Sequence, residues 1–339
     1  MKVIQFFPEW GFDRGKIREI SQLLRFPSHH EPYTFVVPYD TWIDALEADS
    51  IRGVPHIDGE PDYGFIDEYD AVLTLILSDN IGAAKWIRDN YPDKLILAIL
   101  EPFPPWWYIY DVNGIMSKVY PSMKIDVDAA DVVLMDSSVY VKPLRKIYGS
   151  DKIVYCPNPV ETEYIQTFTD LHKREHRIIG GGRHSNFQDT LTETNRVLEI
   201  FGRRGIIERW LFNSSIADPN WDVVLPFRAD HRQHLREQNM IGIFLDNCTG
   251  GCSIQSRRCG AMGIPIVGNT EIDSHVQINP SLARKPNDYD GMARILERLI
   301  YNDTFYARMA SEALTNVTLY SYDNCRKRLM EAIDNAKRP

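Results

Sequence analysis

The chain has 339 residues, of which 44% are hydrophobic and 11% are aromatic, and its formal net charge at pH 7 is −9. This length suits two α/β domains of roughly 150 to 180 residues each better than a single domain. The negative charge argues against a protein that coats nucleic acid or anionic lipid, so small molecules are the expected partners.

The cysteines and the N-terminus bear on the cellular compartment. The five cysteines are an odd number, and residues 1–7 lead into polar sequence without the apolar core of a secretory signal. No apolar run approaches the roughly 20 residues of a transmembrane span. We therefore expect a cytoplasmic protein with reduced thiols. Cys248 and Cys252 form a C-x3-C pair without a second pair at zinc spacing, so no metal site is predicted there.

The first half of the chain alternates strand and helix patterns. The predicted strands are 2–7, 34–38, 69–77, 95–100, 132–135 and 153–155, and the predicted helices are 16–24, 81–91 and 139–148. Residues 78–80 suit the N-cap of the second helix. A run of prolines and aromatic residues, 101–108, ends the fourth strand. This alternation predicts an open, doubly wound parallel sheet.

A second β/α series follows a polar segment, 161–177, which is interpreted as a linker. Its predicted strands are 178–179, 209–212, 241–245 and 264–268, and its predicted helices are 190–201, 232–238, 255–262, 289–301, 304–316 and 322–336. We predict domains at 1–160 and 161–320, with a C-terminal helix in 321–339 packing back on the first domain. The expected fold is two doubly wound Rossmann-like domains that face each other across a cleft, where such sheets bind ligands.

The stretch 246–254 has the pattern of a phosphate-binding loop. An apolar strand runs into a loop that contains Gly250 and Gly251, and the loop opens a short helix. Backbone N–H groups at a helix N-terminus carry partial positive charge, and glycines let a diphosphate approach the backbone closely. The alternative interpretation is a tight βα turn with no ligand.

Four passages, in the expected order, resemble the GT-B glycosyltransferases, and in particular the nucleotide-sugar enzymes with an E-x7-E donor motif. Residues 130–137, 148–149 and 153–160 resemble the family's "ADxVIxxS…YG…V(I)PNGVD", and 179–183 resemble the "VGR" that opens its second domain. Residues 246–268 resemble "EGFGxxxxEAMAxGxPVV", and 288–316 resemble the terminal helices. The resemblance covers the chain from residue 130 to the C-terminus, and before that only the topology agrees.

The sequence departs from this family at three places. If 263–267 is set on "GxPVV", the two motif glutamates, which bind the donor sugar and the ribose in the family, fall on Gly250 and Arg258. The family's lysine after "GR" falls near Gln188, and its histidine in the first domain is missing. The loop is therefore expected to hold a diphosphate, while other residues hold the sugar and the ribose.

The resemblance implies two groups of binding residues. The predicted donor site consists of the backbone amides of the loop and the nearby cations, namely Gly182, Arg183, Gly251, Cys252, Ser253, Ile254 and Arg258. A second glycine loop, with Gly11, Arg14 and Gly15, matches in position the loop that GT-B enzymes present to acceptor and donor phosphates.

A carboxylate is the usual base when an acceptor hydroxyl displaces a leaving group directly. Glu101 ends a buried strand, and its placement resembles that of the carboxylate base of phage-type DNA β-glucosyltransferases; Asp79 is the second candidate. The alternative for Glu101 is a strand cap or an arginine partner. His231 and His234 are interpreted as surface residues. His275 is also interpreted as a surface residue, with a place in the donor pocket as the alternative.

The resemblance implies a hexosyltransferase that moves sugar from a nucleotide donor such as a UDP-sugar to a carbohydrate, lipid-linked or other hydroxyl acceptor. No cofactor or metal is expected, since the sequence has no D-x-D pair in a suitable position. Two alternatives stay open: a glycosyltransferase acting on hydroxylated bases in DNA, and a catalytically inactive GT-B-like nucleotide-binding or scaffold protein. Retention and inversion also stay open, because the C-terminal resemblance favours the first and Glu101 favours the second.

Overall fold

The structure is a computed structural model, and it describes residues 1–7, 41–52, 64–76, 81–100, 115–167, 169, 175–182, 189–212, 217–226, 231–247 and 254–336. These residues form two compact units. The second unit comprises the described residues of Val160–Ser321, and the first comprises all the others.

Twelve strands and twelve helices are found in the described residues. The strands are Val3–Phe7 (β1), Asp49–Arg52 (β2), Ala71–Ile76 (β3), Leu95–Leu100 (β4), Val132–Met135 (β5), Ile153–Tyr155 (β6), Ile178–Gly182 (β7), Glu208–Phe212 (β8), Val223–Leu225 (β9), Ile243–Asp246 (β10), Ile266–Asn269 (β11) and Ala283–Arg284 (β12). The helices are Thr41–Leu46 (α1), Ala83–Asn90 (α2), Ile115–Ala129 (α3), Ser138–Tyr148 (α4), Thr162–Gln166 (α5), Asp189–Phe201 (α6), His231–Gln238 (α7), Ile254–Ala261 (α8), Asp273–Ile278 (α9), Tyr289–Tyr301 (α10), Asp303–Asn316 (α11) and Tyr322–Ala336 (α12).

The first unit is built on a parallel six-stranded sheet in the order β2-β1-β3-β4-β5-β6. Strand β3 is buried along its whole length, as expected for a parallel strand covered on both faces. Helices α2, α3 and α4 pack on one face of the sheet. Helix α12 belongs to this unit, where it packs against α1, and the Tyr322 hydroxyl donates to Asp44 Oδ2 at 3.2 Å.

Helix α2 begins at Ala83, two residues after the predicted start at 81, and a side chain of another helix accepts hydrogen bonds from its first amides. The predicted cap 78–80 lies outside the described residues, and the N-cap in the structure is Gly82, with φ 99°. The free amides of Gly82 and Lys85 donate to the Asp126 carboxylate of α3 at 2.6 and 3.1 Å. An acidic side chain at this end also balances the positive end of the helix dipole.

The second unit repeats the architecture with the strand order β12-β11-β10-β7-β8-β9, again all parallel. Helices α6 and α10 cover one face of this sheet. Helices α8 and α9 cover the other face. The segment interpreted as a linker begins with helix α5, whose apolar Ile165 side chain is buried in the second core.

Two glycines of β7 provide room for large neighbours. A Cβ on Gly180 would overlap Ile241, and a Cβ on Gly181 would overlap the indole of Trp221. That indole is fixed by a 2.9 Å hydrogen bond from its Nε1 to Asn195 Oδ1. Packing therefore accounts for the first two glycines of the Gly-Gly-Gly-Arg passage, and the third, Gly182, lies at the end of the strand.

Within the described residues, no helix combines the length and the apolar character that crossing a bilayer would need.

Candidate functional site

The strand order of the second sheet locates its ligand edge. From β7 the chain proceeds outward to β8 and β9, then returns to the opposite side of β7 and continues through β10, β11 and β12. Ligands of doubly wound sheets bind at the carboxyl ends of the strands where this direction reverses. The reversal lies between β7 and β10, and the pairing of Phe244 with Gly180 puts Asp246 level with Gly182 at that edge.

Helix α8 follows β10 at this edge, and its interior is unusually polar. Every residue from Gln255 to Ala261 is buried, including Gln255, Ser256, Arg257 and Arg258. The helix ends in a turn at Gly263, which has φ 68°, and the Ile264 amide donates to the Cys259 carbonyl at 2.9 Å. Burying four polar side chains on one short helix costs free energy unless each of them is paired. Such departures from an apolar core are expected at functional sites.

The first turn of α8 contacts the end of β7 directly. A Cβ on Gly182 would overlap Gln255 Oε1, and it would lie 3.0 Å from Gln255 Cδ and 3.3 Å from Phe244 Cζ. Glycine at this position thus lets the helix start against the strand end. The third glycine of the passage therefore has a role in the geometry of the site edge.

A buried histidine joins the two sides of this edge. His275 on α9 is fully buried, and its Nε2 lies 2.9 Å from Ser256 Oγ and 3.4 Å from Asp246 Oδ2. Nε2 of His275 thus contacts polar side chains of both β10 and α8. The ring lies against Gly268, where a Cβ would overlap it. The interpretation of His275 as a surface residue is wrong, because a strand glycine makes space for the ring.

His234 is also buried rather than on the surface. Its ring meets the Phe212 ring edge-on, with a centroid distance of 6.0 Å and an interplanar angle of 89°. Aromatic packing on α7 explains this position. The side chain of His231 lies outside the described residues.

Replacing His275 by leucine is expected to lower the free energy of unfolding by about 1 to 3 kcal/mol, because the buried hydrogen bond between Nε2 and Ser256 Oγ is lost. His275→Gln keeps an amide group that can hydrogen-bond to Ser256, and at least half of the loss should be recovered. Urea unfolding of the two variants, with His234→Leu as the control for loss of a buried ring, measures this difference. Equal destabilisation by leucine and glutamine at position 275 would show that this hydrogen bond does not contribute to stability.

Asn247 anchors the chain where it leaves β10. Its amide donates to Thr194 Oγ1 at 3.0 Å, and its side-chain Nδ2 donates to the Pro286 carbonyl at 3.0 Å. Asn269 of β11 donates to Asn247 Oδ1 at 3.3 Å. Side-chain hydrogen bonds thus connect the carboxyl end of β10 to α6 and to β11.

Arg258, a predicted donor-binding residue, is paired inside the protein. Its Nε lies 3.3 Å from Glu161 Oε1, and both side chains are 5% exposed. Glu161 precedes helix α5, within the same unit. The Arg258 charge is therefore balanced before any ligand arrives.

The described residues contain only part of the predicted site. Gly182 and Ile254 lie at the reversal between β7 and β10, the first at the end of β7 and the second at the start of α8. Arg183, Gly251, Cys252 and Ser253 lie outside the described residues, as do Gly11, Arg14, Gly15, Asp79 and Glu101. Gln255 was missed as a site residue, and its only sequence signal was its position just after the glycine loop. His275 was considered for the donor pocket, because it follows the second strand of the motif, but a surface position was preferred.

The first sheet has a comparable reversal between β1 and β3. Gly11, Arg14 and Gly15 follow β1 along the chain, and Asp79 follows β3. Glu101 directly follows β4, which pairs with β3. Among the described residues, no group of three His, Cys, Asp or Glu side chains could hold a metal ion.

Solved structures match between 78% and 99% of the chain. The N-terminal domain of Candida albicans trehalose-6-phosphate phosphatase is 10% identical, with a TM-score of 0.66 over 99% of this chain and 97% of that one. An alpha-glucosyltransferase in complex with UDP-glucose and DNA containing an abasic site is 10% identical, with a TM-score of 0.65 over 98% and 99%. A UDP-forming α,α-trehalose-phosphate synthase from Burkholderia xenovorans is 11% identical, with a TM-score of 0.60 over 78% and 72%.

The chain has the GT-B fold. The predicted fold class is thereby confirmed. No protein-family model matches the sequence, and no curated protein matches it. At 10 to 11% identity the GT-B likeness concerns the course of the backbone, and the chemistry must be argued from the residues of this chain.

Proposed function

We propose that this protein is a glycosyltransferase that moves a sugar from a nucleotide-diphosphate donor to a hydroxyl acceptor. The second unit binds the donor. The observation that carries the proposal is the start of the buried polar helix α8 at the strand-order reversal between β7 and β10. A helix N-terminus at such a reversal suits an anionic diphosphate.

The proposed chemistry needs stabilisation of the departing diphosphate and removal of a proton from the acceptor. Backbone amides at 251–254 and the Arg183 guanidinium would stabilise the negative charge that develops on the leaving group. Glu101 would accept the acceptor proton, with Asp79 as the second candidate. Arg258 stays a predicted donor residue, although its charge is already paired with Glu161.

A calorimetric titration with UDP-, GDP-, ADP- and TDP-sugars tests the proposal. Binding of one nucleotide class, followed by transfer to a supplied acceptor, is expected. UDP is the first nucleotide to try, since similar structures hold UDP-glucose or UDP. If none of the four classes binds, the proposed function is wrong.

Transfer to DNA is the second candidate. It is favoured by the similarity, over 98% of this chain, to an alpha-glucosyltransferase in complex with UDP and a 13-mer DNA containing an HMU base. The net charge of −9 opposes it. Offering duplex DNA with hydroxymethylated bases beside saccharide acceptors separates the two, since only one acceptor class should receive labelled sugar.

The third candidate is a binding or scaffold protein without catalysis. One similar structure is the N-terminal domain of a protein named as a phosphatase, so the fold alone does not decide the chemistry. Nucleotide binding without hydrolysis or transfer to any acceptor would favour this candidate.

Arg183→Ala is expected to weaken nucleotide-diphosphate binding by about 1.5 to 3 kcal/mol, because a charge-assisted contact to phosphate is lost. The measurement is the dissociation constant for UDP by calorimetry. Arg204→Ala is a matched control, since Arg204 is an exposed cation in the same unit. Unchanged affinity in Arg183→Ala would remove Arg183 from the site.

A further inference from the structure

The Gln255 side chain lies buried at the proposed donor edge. It belongs to the first turn of α8 and is 9% exposed. Its Oε1 is packed over Gly182, the last residue of β7. The amide group is thereby held at the reversal between β7 and β10.

Gln255 Nε2 has no hydrogen-bond partner among the described residues. A buried N–H group left unpaired costs about 1 to 3 kcal/mol, and such groups in folded proteins call for an explanation. Gln238 is also buried with an unpaired amide, but it ends α7 ahead of β10, at the opposite edge of the sheet. Of these two glutamines, only Gln255 lies where a ligand is expected.

Each of the other polar side chains of α8 has at least one partner inside the protein. Ser256 is bonded to His275, Arg258 is paired with Glu161, and the Arg257 guanidinium lies 4.5 Å from the centre of the Tyr320 ring. Gln255 Nε2 is the uncharged side-chain donor in the described first turn of α8 that has no hydrogen-bond partner. An N–H donor needs an acceptor oxygen, and the positive end of the helix favours an anionic one.

We propose that Gln255 Nε2 donates a hydrogen bond to a phosphate oxygen of the bound nucleoside diphosphate. Gln255 is thus a binding residue that contributes a neutral side-chain donor. Its Oε1 is held over Gly182, so the amide is oriented before the ligand arrives and loses little side-chain freedom on binding. The inference rests on the proposed function for the identity of the ligand.

The test compares UDP and uridine binding by calorimetry in the wild type, Gln255→Leu and Gln255→Glu. Leucine keeps the approximate volume without the donor, and UDP affinity should fall about 10-fold while uridine affinity stays constant. Glutamate keeps the shape but places a carboxylate against the phosphate, so UDP affinity should fall further than with leucine. Gln238→Leu is the matched control, and it should bind both ligands like the wild type.

Three outcomes overturn the inference. Unchanged UDP affinity in Gln255→Leu would remove the contact, and equal losses for UDP and uridine would place it away from the phosphates. Affinity retained in Gln255→Glu would show that the ligand atom is a hydroxyl, which can donate to a carboxylate. Urea unfolding controls for folding, and Gln255→Leu should be at least as stable as the wild type because it removes an unpaired amide. If the wild type binds no nucleotide at all, the proposed function fails before Gln255 is tested.

Discussion

Arg258→Met is expected to lower the free energy of unfolding by about 3 to 5 kcal/mol, because it leaves the Glu161 carboxylate buried without its counter-ion. The two side chains are 3.3 Å apart and 5% exposed. In the described structure, Arg258 Nε and Nη2 also make no hydrogen bond, so the pair is held by charge alone. Urea unfolding monitored by circular dichroism measures the loss.

The double variant Arg258→Met with Glu161→Met shows whether the loss comes from the stranded charge. Removing both ions avoids their desolvation, so most of the lost stability should return. The control is Arg204→Met, which removes an exposed cation whose nearest carboxylate, on Glu297, lies 3.9 Å away, and it should cost less than about 1 kcal/mol. A double variant as unstable as Arg258→Met would contradict the ion-pair explanation.

Glu101→Gln is expected to cut sugar transfer by at least about 100-fold while donor affinity stays near that of the wild type, because the amide cannot accept the acceptor proton. Steady-state turnover and calorimetric affinity for the donor are measured on the same preparation. Asp93→Asn is a control at the other end of the same strand: it precedes β4, is 73% exposed, and should leave turnover unchanged.

The outcome also separates the two candidate bases. Full activity in Glu101→Gln with a large loss in Asp79→Asn would transfer the role to Asp79. Activity retained in both variants would exclude both carboxylates, and retention of configuration at the anomeric carbon would then be the better mechanism to examine.

Much of the fold could be predicted from the apolar runs of the sequence. Strands buried on both faces, such as β3 and β4, are almost continuously apolar, and the terminal helices α10, α11 and α12 have clear amphipathic patterns. Seven of the described elements were not predicted, namely α1, β2, α3, α5, β9, α9 and β12, and two of them show why. Strand β2 has no apolar run and is defined by its pairing with β1, and α3 contains Pro121, which normally breaks a helix.

The candidate site was less predictable because it depends on contacts between distant parts of the chain. The glycine loop and its helix were visible in sequence. The reversal between β7 and β10 was not visible, because strand order depends on which strands pair and not on the local sequence. Gln255 can be recognised as a site residue only from its contact with Gly182. The burial of His275 depends on the space that Gly268 leaves.

Helix α12 returns the chain to the first unit after the second unit is complete, and this connectivity has a practical consequence. The described part of the second unit begins at Val160, whose amide donates to the Tyr320 carbonyl at 2.8 Å, so its first and last residues adjoin. The chain then returns to the first unit, where Cys325, Leu329 and Ile333 are buried. The second unit is thus an inserted domain with neighbouring termini. A protein shortened before Tyr322 would lose part of the first unit's interior rather than a dispensable tail.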